Sequence, residues 1–339
     1  MKAVTYTRTG DSDVLVLGDR EEPRPGAGEV RVRIHVSGVN PTDWKSRRGS
    51  GDAELPRPQV PNQDGAGVVD EVGGGVTAFR PGDRVWVWDA AYQRRDGTAQ
   101  ELVVLPERLV VALPDDVGFD AGASLGIPAL TAHRALTAYE FAPEQLAPGT
   151  LEGRTVLVAG GAGAVGHAAI QLAVWAGATV IATVSSPEKG ELARAAGAHH
   201  VVDYTESDTA RAIGALAPRG VDIVVEVNVI ANAELDVKVV GTNATVASYA
   251  DSPGKTEVSI PVRPSMAKNI RWQFLLTYTV DERAKAAAVR AVSHALADGA
   301  LPVGREHGLP ITRYPLAETA AAHDAVEGGI VGKVLIDVA

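Results

Sequence analysis

Four glycines crowd one turn of the chain, Gly160, Gly161, Gly163 and Gly166, within "TVLVAGGAGAVGHAAIQLAVWAGATVIATVSS". Gly161-Ala162-Gly163-Ala164-Val165-Gly166 fits G-x-G-x-x-G, and Gly160, Gly163 and Gly166 also recur every three residues. A strand-like run precedes the turn and an amphipathic helical run follows it. In that setting a glycine turn brings the backbone close to a pyrophosphate, and the free N–H groups and dipole of the helix favour its charge. The alternative is a turn that uses glycine only for its own backbone.

A dinucleotide site selective for NAD places a carboxylate at the end of the second strand, to accept from the ribose 2′-hydroxyl. This strand ends "TVSSPEK", with Ser185, Ser186 and Lys189. Hydroxyls and an ammonium suit a 2′-phosphate, which a carboxylate would repel. The residues therefore predict NADPH. Ser186 also reads as the cap of a helix beginning at Pro187, with Lys189 a solvated charge. None of the tyrosines has a lysine four positions on, so a Tyr-x-x-x-Lys acid pair is missing.

The elements that must position these groups form two patterns. Early in the chain, "EVRVRIHVSGVNP", "GAGVVDEVGGGV", "GDRVWVW" and "AQELVVLPERLVVAL" are short β-like runs between turn signals, as in a bent antiparallel sheet or partial barrel. From about Phe119 helix and strand alternate. "TVLVAG", "TVIATV", "HVVDY", "VDIVVEV" and "ATVASYA" are apolar enough for a doubly wound parallel sheet covered by helices such as "SPEKGELARAAG". The helix "DERAKAAAVRAVSHALADG" and the last strand, "GKVLIDV", are expected to complete the first domain. The expected division is residues 1–125 with 270–339, and 126–269 for the nucleotide domain.

At 339 residues two domains are expected. A net charge of −10 disfavours nucleic acid as a partner, and 45% hydrophobic with 22% charged residues is ordinary for a globular chain. Cysteine is absent, which excludes disulfides, thiolate catalysis and any zinc site needing a Cys ligand. A cytoplasmic setting is the expectation. The N-terminal run alternates like a strand and lacks the apolar core of a signal peptide. Thr155 to Pro187 carries no charge, but its glycines, His167 and Gln171 fit strand, turn, helix and strand better than a membrane span.

These motifs together, with "SGVNPTDWKSRRG", "GAGVVDEVG", "PGDRV", "GIPALTAHRAL", "PSMAKN" and "GGIVGKVLI", make the chain similar to the zinc-independent, zeta-crystallin-like quinone reductases of the medium-chain dehydrogenase/reductase superfamily. The resemblance spans nearly the whole chain. It implies a Rossmann-type domain plus a GroES-like, mainly antiparallel β catalytic domain, and NADPH-dependent reduction of a quinone. Reduction of an enone or 2-alkenal C=C bond is a second enzymatic reading. A third is a protein that binds NADPH or RNA with little turnover. Zinc-dependent relatives carry Cys where this chain has Asn40, and Gly-His-Glu where it has Asn62-Gln63-Asp64, so no metal is expected.

Carried onto this sequence, the resemblance puts Asn40 beside nicotinamide and substrate and Thr131 against the reacting end of the cofactor. The turn from Gly160 to Gly166 would hold the pyrophosphate, while Lys189 and Tyr204 would lie at the 2′-phosphate. Trp44, Trp88 and Tyr92 are candidates for an apolar wall against a planar acceptor, with the domain core as the other reading. Departures include "GTNATVASYAD", which lacks the usual Gly-Gly turn, and put substrate preference in doubt. His199 and His200 read as structural. "KTEVSIPV" alternates like an edge strand, which suggests a homodimer or homotetramer.

Overall fold

The computed structural model describes residues 1–206, 208–251 and 254–338. Two compact units make up the chain, Met1–Ile127 with Pro310–Ala339, and Pro128–Leu309.

The early alternating runs become β1 (Lys2–Arg8), β2 (Val16–Asp19), β3 (Glu29–Val39), helix α1 (Pro41–Arg48), β4 (Glu54–Gln59), β5 (Asp64–Val72), β6 (Arg84–Val87), β7 (Leu102–Pro106) and β8 (Val110–Ala112). On β3 the period of two sends Val30, Val32 and Ile34 into the core. Arg31 and Arg33, between them, reach Asp70 on the antiparallel neighbour β5. Pro41 opens α1 at a position that needs no backbone N–H, and Asp43 accepts from the Asn40 N–H at 2.7 Å.

Helix α2 (Phe119–Leu136) is followed by β9 (Thr155–Ala159), α3 (Ala164–Trp175), β10 (Thr179–Val184), α4 (Pro187–Ala195), β11 (His200–Asp203), α5 (Thr209–Leu216), β12 (Val221–Glu226), α6 (Val229–Val239), β13 (Val240–Ser248), α7 (Val262–Ala267), β14 (Arg271–Phe274) and α8 (Glu282–Ala297). Among the described residues the strands form one parallel sheet in the order β11-β10-β9-β12-β13-β14. The order reverses between β9 and β12, which opens a crevice at their carboxyl ends, the usual seat of a dinucleotide in such sheets. Leu157, Ile181, Val224 and Val246 are nearly solvent-free beneath it. The chain then returns to the first unit through β15 (Ile311–Pro315), α9 (Thr319–Glu327) and β16 (Lys333–Asp337), and β16 pairs antiparallel with β3.

Two expectations differ from this architecture. Residues 270–309 belong with the parallel sheet rather than the first unit: β14 adds to its edge beside β13, and α8 packs against α3. The mainly alanine face of α8 fits closely against a neighbouring helix, and nothing in its sequence specified which one. The stretch 255–260 is not a regular strand, and α7 begins just after Pro261. β14 takes the edge of the parallel sheet. The uncharged run divides into β9, the glycine turn, α3 and β10, and no described helix is long and apolar enough to cross a membrane.

The helix that follows Asn40 is anchored by charge. Arg47 on α1 has no solvent exposure and meets Glu327 at the end of α9 at 2.8 Å. Removing one member of such a pair strands the other. Glu327→Ala should lower unfolding free energy by about 3 kcal/mol, measured by denaturant titration.

Candidate active site

The glycine turn joins β9 to α3, and its glycines answer to different constraints. Gly160 has φ +71°, a left-handed conformation suited to glycine. A Cβ on Gly166 would sit 2.3 Å from the Gly160 carbonyl oxygen, so helix and strand could not pack as they do. Gly163 has an ordinary φ of −83°, and a Cβ there would meet no described atom nearer than 3.4 Å. Neither backbone strain nor internal packing requires glycine at 163. The bare backbone leaves space at the N-terminus of α3, where the first-turn N–H groups, including those of Ala164, Val165 and Gly166, lack helical partners. This cradle fits a pyrophosphate.

Ser185 and Ser186 follow β10 on the same side of the sheet. Ser186 accepts from the Lys189 N–H at 3.3 Å and caps α4, as the structural alternative held. The Lys189 ammonium donates to the Ser185 hydroxyl at 2.8 Å, so the cation leans back over the strand end. Tyr204 follows β11, is half-exposed, and donates its backbone N–H to Val184 at the end of β10. Ser185, Lys189 and Tyr204 are thereby gathered at the carboxyl ends of adjacent strands. His199 accepts from the Val180 N–H through Nδ1, a structural bond at the sheet.

Within the other unit, Asn40 ends β3 in a buried polar network. Its Nδ2 donates to Asp64 at 2.7 Å, and its Oδ1 accepts from the Lys333 ammonium on β16 at 2.8 Å. Lysine only donates and a carboxylate only accepts, so the amide has one permitted orientation. Asp64 also accepts from the Ile127 N–H, at 2.9 and 3.1 Å, and stands 3.7 Å from the Lys333 nitrogen. Gly126 admits that carboxylate: a Cβ there would lie 2.0 Å from Asp64 Oδ1. Burial pushes the Asp64 carboxyl up, while Lys333, Asn40 and the Ile127 N–H pull it back down. Burial lowers Lys333 against the upward pull of both aspartates. Asp43 is raised to about 8, first by burial and then by the like charge of Asp64.

Asp43 also lines a cavity of about 370 Å³, together with Tyr6, Asn62, Gln63, Tyr92 and Arg95. Asn62 is held by Ser37 and by His323, and the Gln63 side chain accepts from the Ala91 N–H. Of the three predicted aromatics, Tyr92 faces this cavity. Trp88 is buried in the core at 3% exposure, and Trp44 is half-buried on α1 with the Lys45 ammonium 5.9 Å from its ring. Thr131 on α2 is buried and shares a short hydroxyl hydrogen bond with Thr277.

Comparison with known proteins agrees with both halves of this description. Residues 26–115 match the alcohol dehydrogenase GroES-like domain, and residues 164–293 match the zinc-binding dehydrogenase model. Quinone oxidoreductase of Rattus norvegicus is 31% identical over 346 residues, covering 99% of this chain and 97% of its own. The chain belongs to the quinone oxidoreductases of the medium-chain dehydrogenase/reductase superfamily. It is an oxidoreductase that depends on a nicotinamide dinucleotide. Among solved structures, the quinone oxidoreductase of Pseudomonas syringae superposes with a TM-score of 0.80 at 28% identity over 99% of both chains. A mycobacterial protein solved with NADPH gives 0.81 at 30%, over 99% of both chains. An NAD-dependent alcohol dehydrogenase gives 0.84 at 27%, over the whole of both chains.

Sequence reasoning passed over Asp43, Lys333 and Thr277. Two of them left a signal: Asp43 stands three residues after Asn40, the spacing of a helix-capping carboxylate, and Lys333 is a lone cation entering an apolar strand. Thr277 left none.

The glycines yield a paired test. Gly163→Ala should leave the thermal midpoint nearly unchanged and weaken dinucleotide binding roughly tenfold, about 1.4 kcal/mol, in a fluorescence titration. Gly166→Ala should itself destabilise the fold by about 2 kcal/mol, because backbone has to move.

Proposed function

We propose that the protein reduces a quinone with NADPH and without zinc. The observation that carries the reading is the fixed Asn40 amide: one Nδ2 hydrogen is committed to Asp64 and Oδ1 to Lys333, so donation to a negatively charged oxygen falls to the second Nδ2 hydrogen. Quinones need little further activation, and an oriented amide in a buried setting suits them. When bound, the dinucleotide supplies hydride.

The residues present do not suit a catalytic zinc. At the position where zinc-dependent relatives carry Cys, this chain has an amide flanked by an ammonium, and Asp64 is already engaged by three donors. No group of three or more His, Cys, Asp or Glu side chains fit to hold a metal occurs among the described residues. Asn40 and Thr131 are assigned to the reacting end of the cofactor, with Tyr92 and Trp44 toward the acceptor, while Trp88 belongs to the core.

NADPH is preferred over NADH in this reading because Lys189 and Ser185 stand where a ribose-binding carboxylate would otherwise be. Tyr204 adds an exposed ring at the same strand ends. The quinone oxidoreductase names of the relatives, and the NADPH in one solved neighbour, support the assignment. Self-association is proposed through the β14 edge, where Phe274 and Leu276 are half-exposed. Light scattering should give a dimer or tetramer mass, and Phe274→Asp a smaller one.

Initial rates with NADPH and NADH, across small quinones and one 2-alkenal, test the assignment. NADPH-preferring quinone turnover is expected. Lys189→Ala should cut kcat/KM for NADPH by roughly 10- to 100-fold, the worth of a charge-assisted hydrogen bond, and leave the NADH value nearly unchanged. Turnover confined to the alkenal would make the protein a C=C reductase instead. Tight NADPH binding with neither activity would leave a binding role.

A further inference from the structure

A second buried pair of carboxyls sits at the carboxyl end of the parallel sheet, beside the crevice. Glu226 ends β12 and Asp236 lies on α6, and each is 1% exposed. Glu226 is an acceptor on several sides. One oxygen takes the Asn228 N–H in a short hydrogen bond and the Asn232 Nδ2 at 3.1 Å, and the Val227 N–H also reaches the carboxylate. Neither Asp236 oxygen receives a donor from the other described residues, and the group it meets is Glu226, with which it shares a hydrogen bond. Two carboxyls cannot bond one another without a proton between them.

The donors decide where that proton rests. Backbone and amide N–H groups converge on Glu226, which carries the charge, and Asp236 keeps the proton. Burial, and then the Glu226 charge, raise Asp236 to about 9. Among the described residues the packed neighbours supply no counterion. From the β13 side Tyr249 faces the pair, and burial and the same charge push its phenol up, so it stays neutral. β9 and β13 carry no charged residue, and Asp222 on β12 pairs with Arg154 at the opposite end of the strand. Arg211 on α5, the helix packed on α6, is exposed, as are Glu234 and Lys238 on α6 itself. Lys268 is committed to the Val237, Lys238 and Val240 carbonyls at the far end of α6.

The pair reaches the dinucleotide cradle through the next residue. A Cβ on Gly160 would meet a Val227 methyl at 3.1 Å, so Val227 lies against the glycine turn. The two N–H groups that fix this corner after β12, those of Val227 and Asn228, are the ones Glu226 holds. The Glu226 carbonyl accepts from the Tyr249 N–H at 3.1 Å, which ties the end of β13 to the same point. Asn232 and Asp236 stand four residues apart on one face of α6, so that helix docks on Glu226 through a neutral amide and a neutral acid. We propose that Asp236 is a positioning residue for the dinucleotide: the proton it shares with Glu226 holds the corner between β12 and α6 against the glycine turn, and binding weakens when that proton leaves. An ionised Asp236 would face Glu226 across a buried space, and α6 would have to shift to admit water. The inference rests on the dinucleotide site and is independent of which acceptor is reduced.

Protonated Asp236 is the form that binds, which fixes the sign. The dinucleotide Kd should be level between about pH 6 and 8, rise through about 9, and be roughly tenfold weaker by about pH 10. NADH, titrated by its fluorescence, is the probe, because it lacks the 2′-phosphate and keeps Lys189 out of the comparison. Asp236→Asn still donates to Glu226 and has no proton to lose, so its Kd should show no alkaline rise. Calorimetry in buffers of different ionisation heat should find proton uptake on NADH binding at about pH 9 in the wild type alone. Stability supplies a readout without ligand. Unfolded Asp236 ionises at about 4 while the folded group holds its proton, so the wild-type unfolding constant should climb between about pH 5 and 9 relative to that of Asp236→Asn. A wild-type NADH Kd level to about pH 10, without proton uptake, would overturn the proposal even if the variant fails to fold. So would an alkaline rise that persists in Asp236→Asn. Failure of NADH and NADPH alike to bind at about pH 8 would overturn it together with the cofactor site, whereas absent quinone turnover with the alkaline rise intact would sink the reductase reading alone.

Discussion

Two aspartates share a buried interior with one lysine facing both, and much of the first unit is arranged around that imbalance. Lys333 arrives on the last strand, Asp64 at the start of β5, and Asn40 at the end of β3, so the antiparallel pairing of β16, β3 and β5 sets their separations. Gly126 is required because Asp64 occupies the volume a side chain would take. Buried charge is tolerable only with such exact partnering, and the partners come from chain positions nearly three hundred residues apart.

The parallel sheet works under a different constraint. Its glycine turn is made by subtraction: Gly160 permits a turn, Gly166 permits close packing, and Gly163 leaves room outside the protein's own atoms. The turn thus depends on backbone shape, whereas the Asn40 network depends on side-chain charge. A sequence can change at one of these places without disturbing the physics of the other.

That contrast also explains which features are legible in the sequence. The strands of the parallel sheet, the glycine turn and the helix after it were legible because period and glycine spacing are local. So were β3, β5 and β6 and the place of Asn40 before Pro41. The affiliation of residues 270–309 was not, since an alanine-rich helix states that it packs but not on what. The run 255–260 alternates like a strand but is not a regular one in the single chain, because alternation states a face and not a partner. Lys333 and Asp43 acquire meaning only when β16 is laid beside β3, a long-range pairing that no window of sequence contains. Trp88 shows the converse, an aromatic suited to either wall or core and buried here in the core.

The Lys333 contact with Asn40 bears on how this lineage could change. Asn40→Cys would place a thiol beside an ammonium, which stabilises a thiolate as an ion pair while crowding a divalent cation with like charge. Loss of Lys333 first would leave Asp64 without its counterion. The two positions are therefore coupled: one electrostatic contact between side chains nearly three hundred residues apart makes the cost of a change at either position depend on what stands at the other.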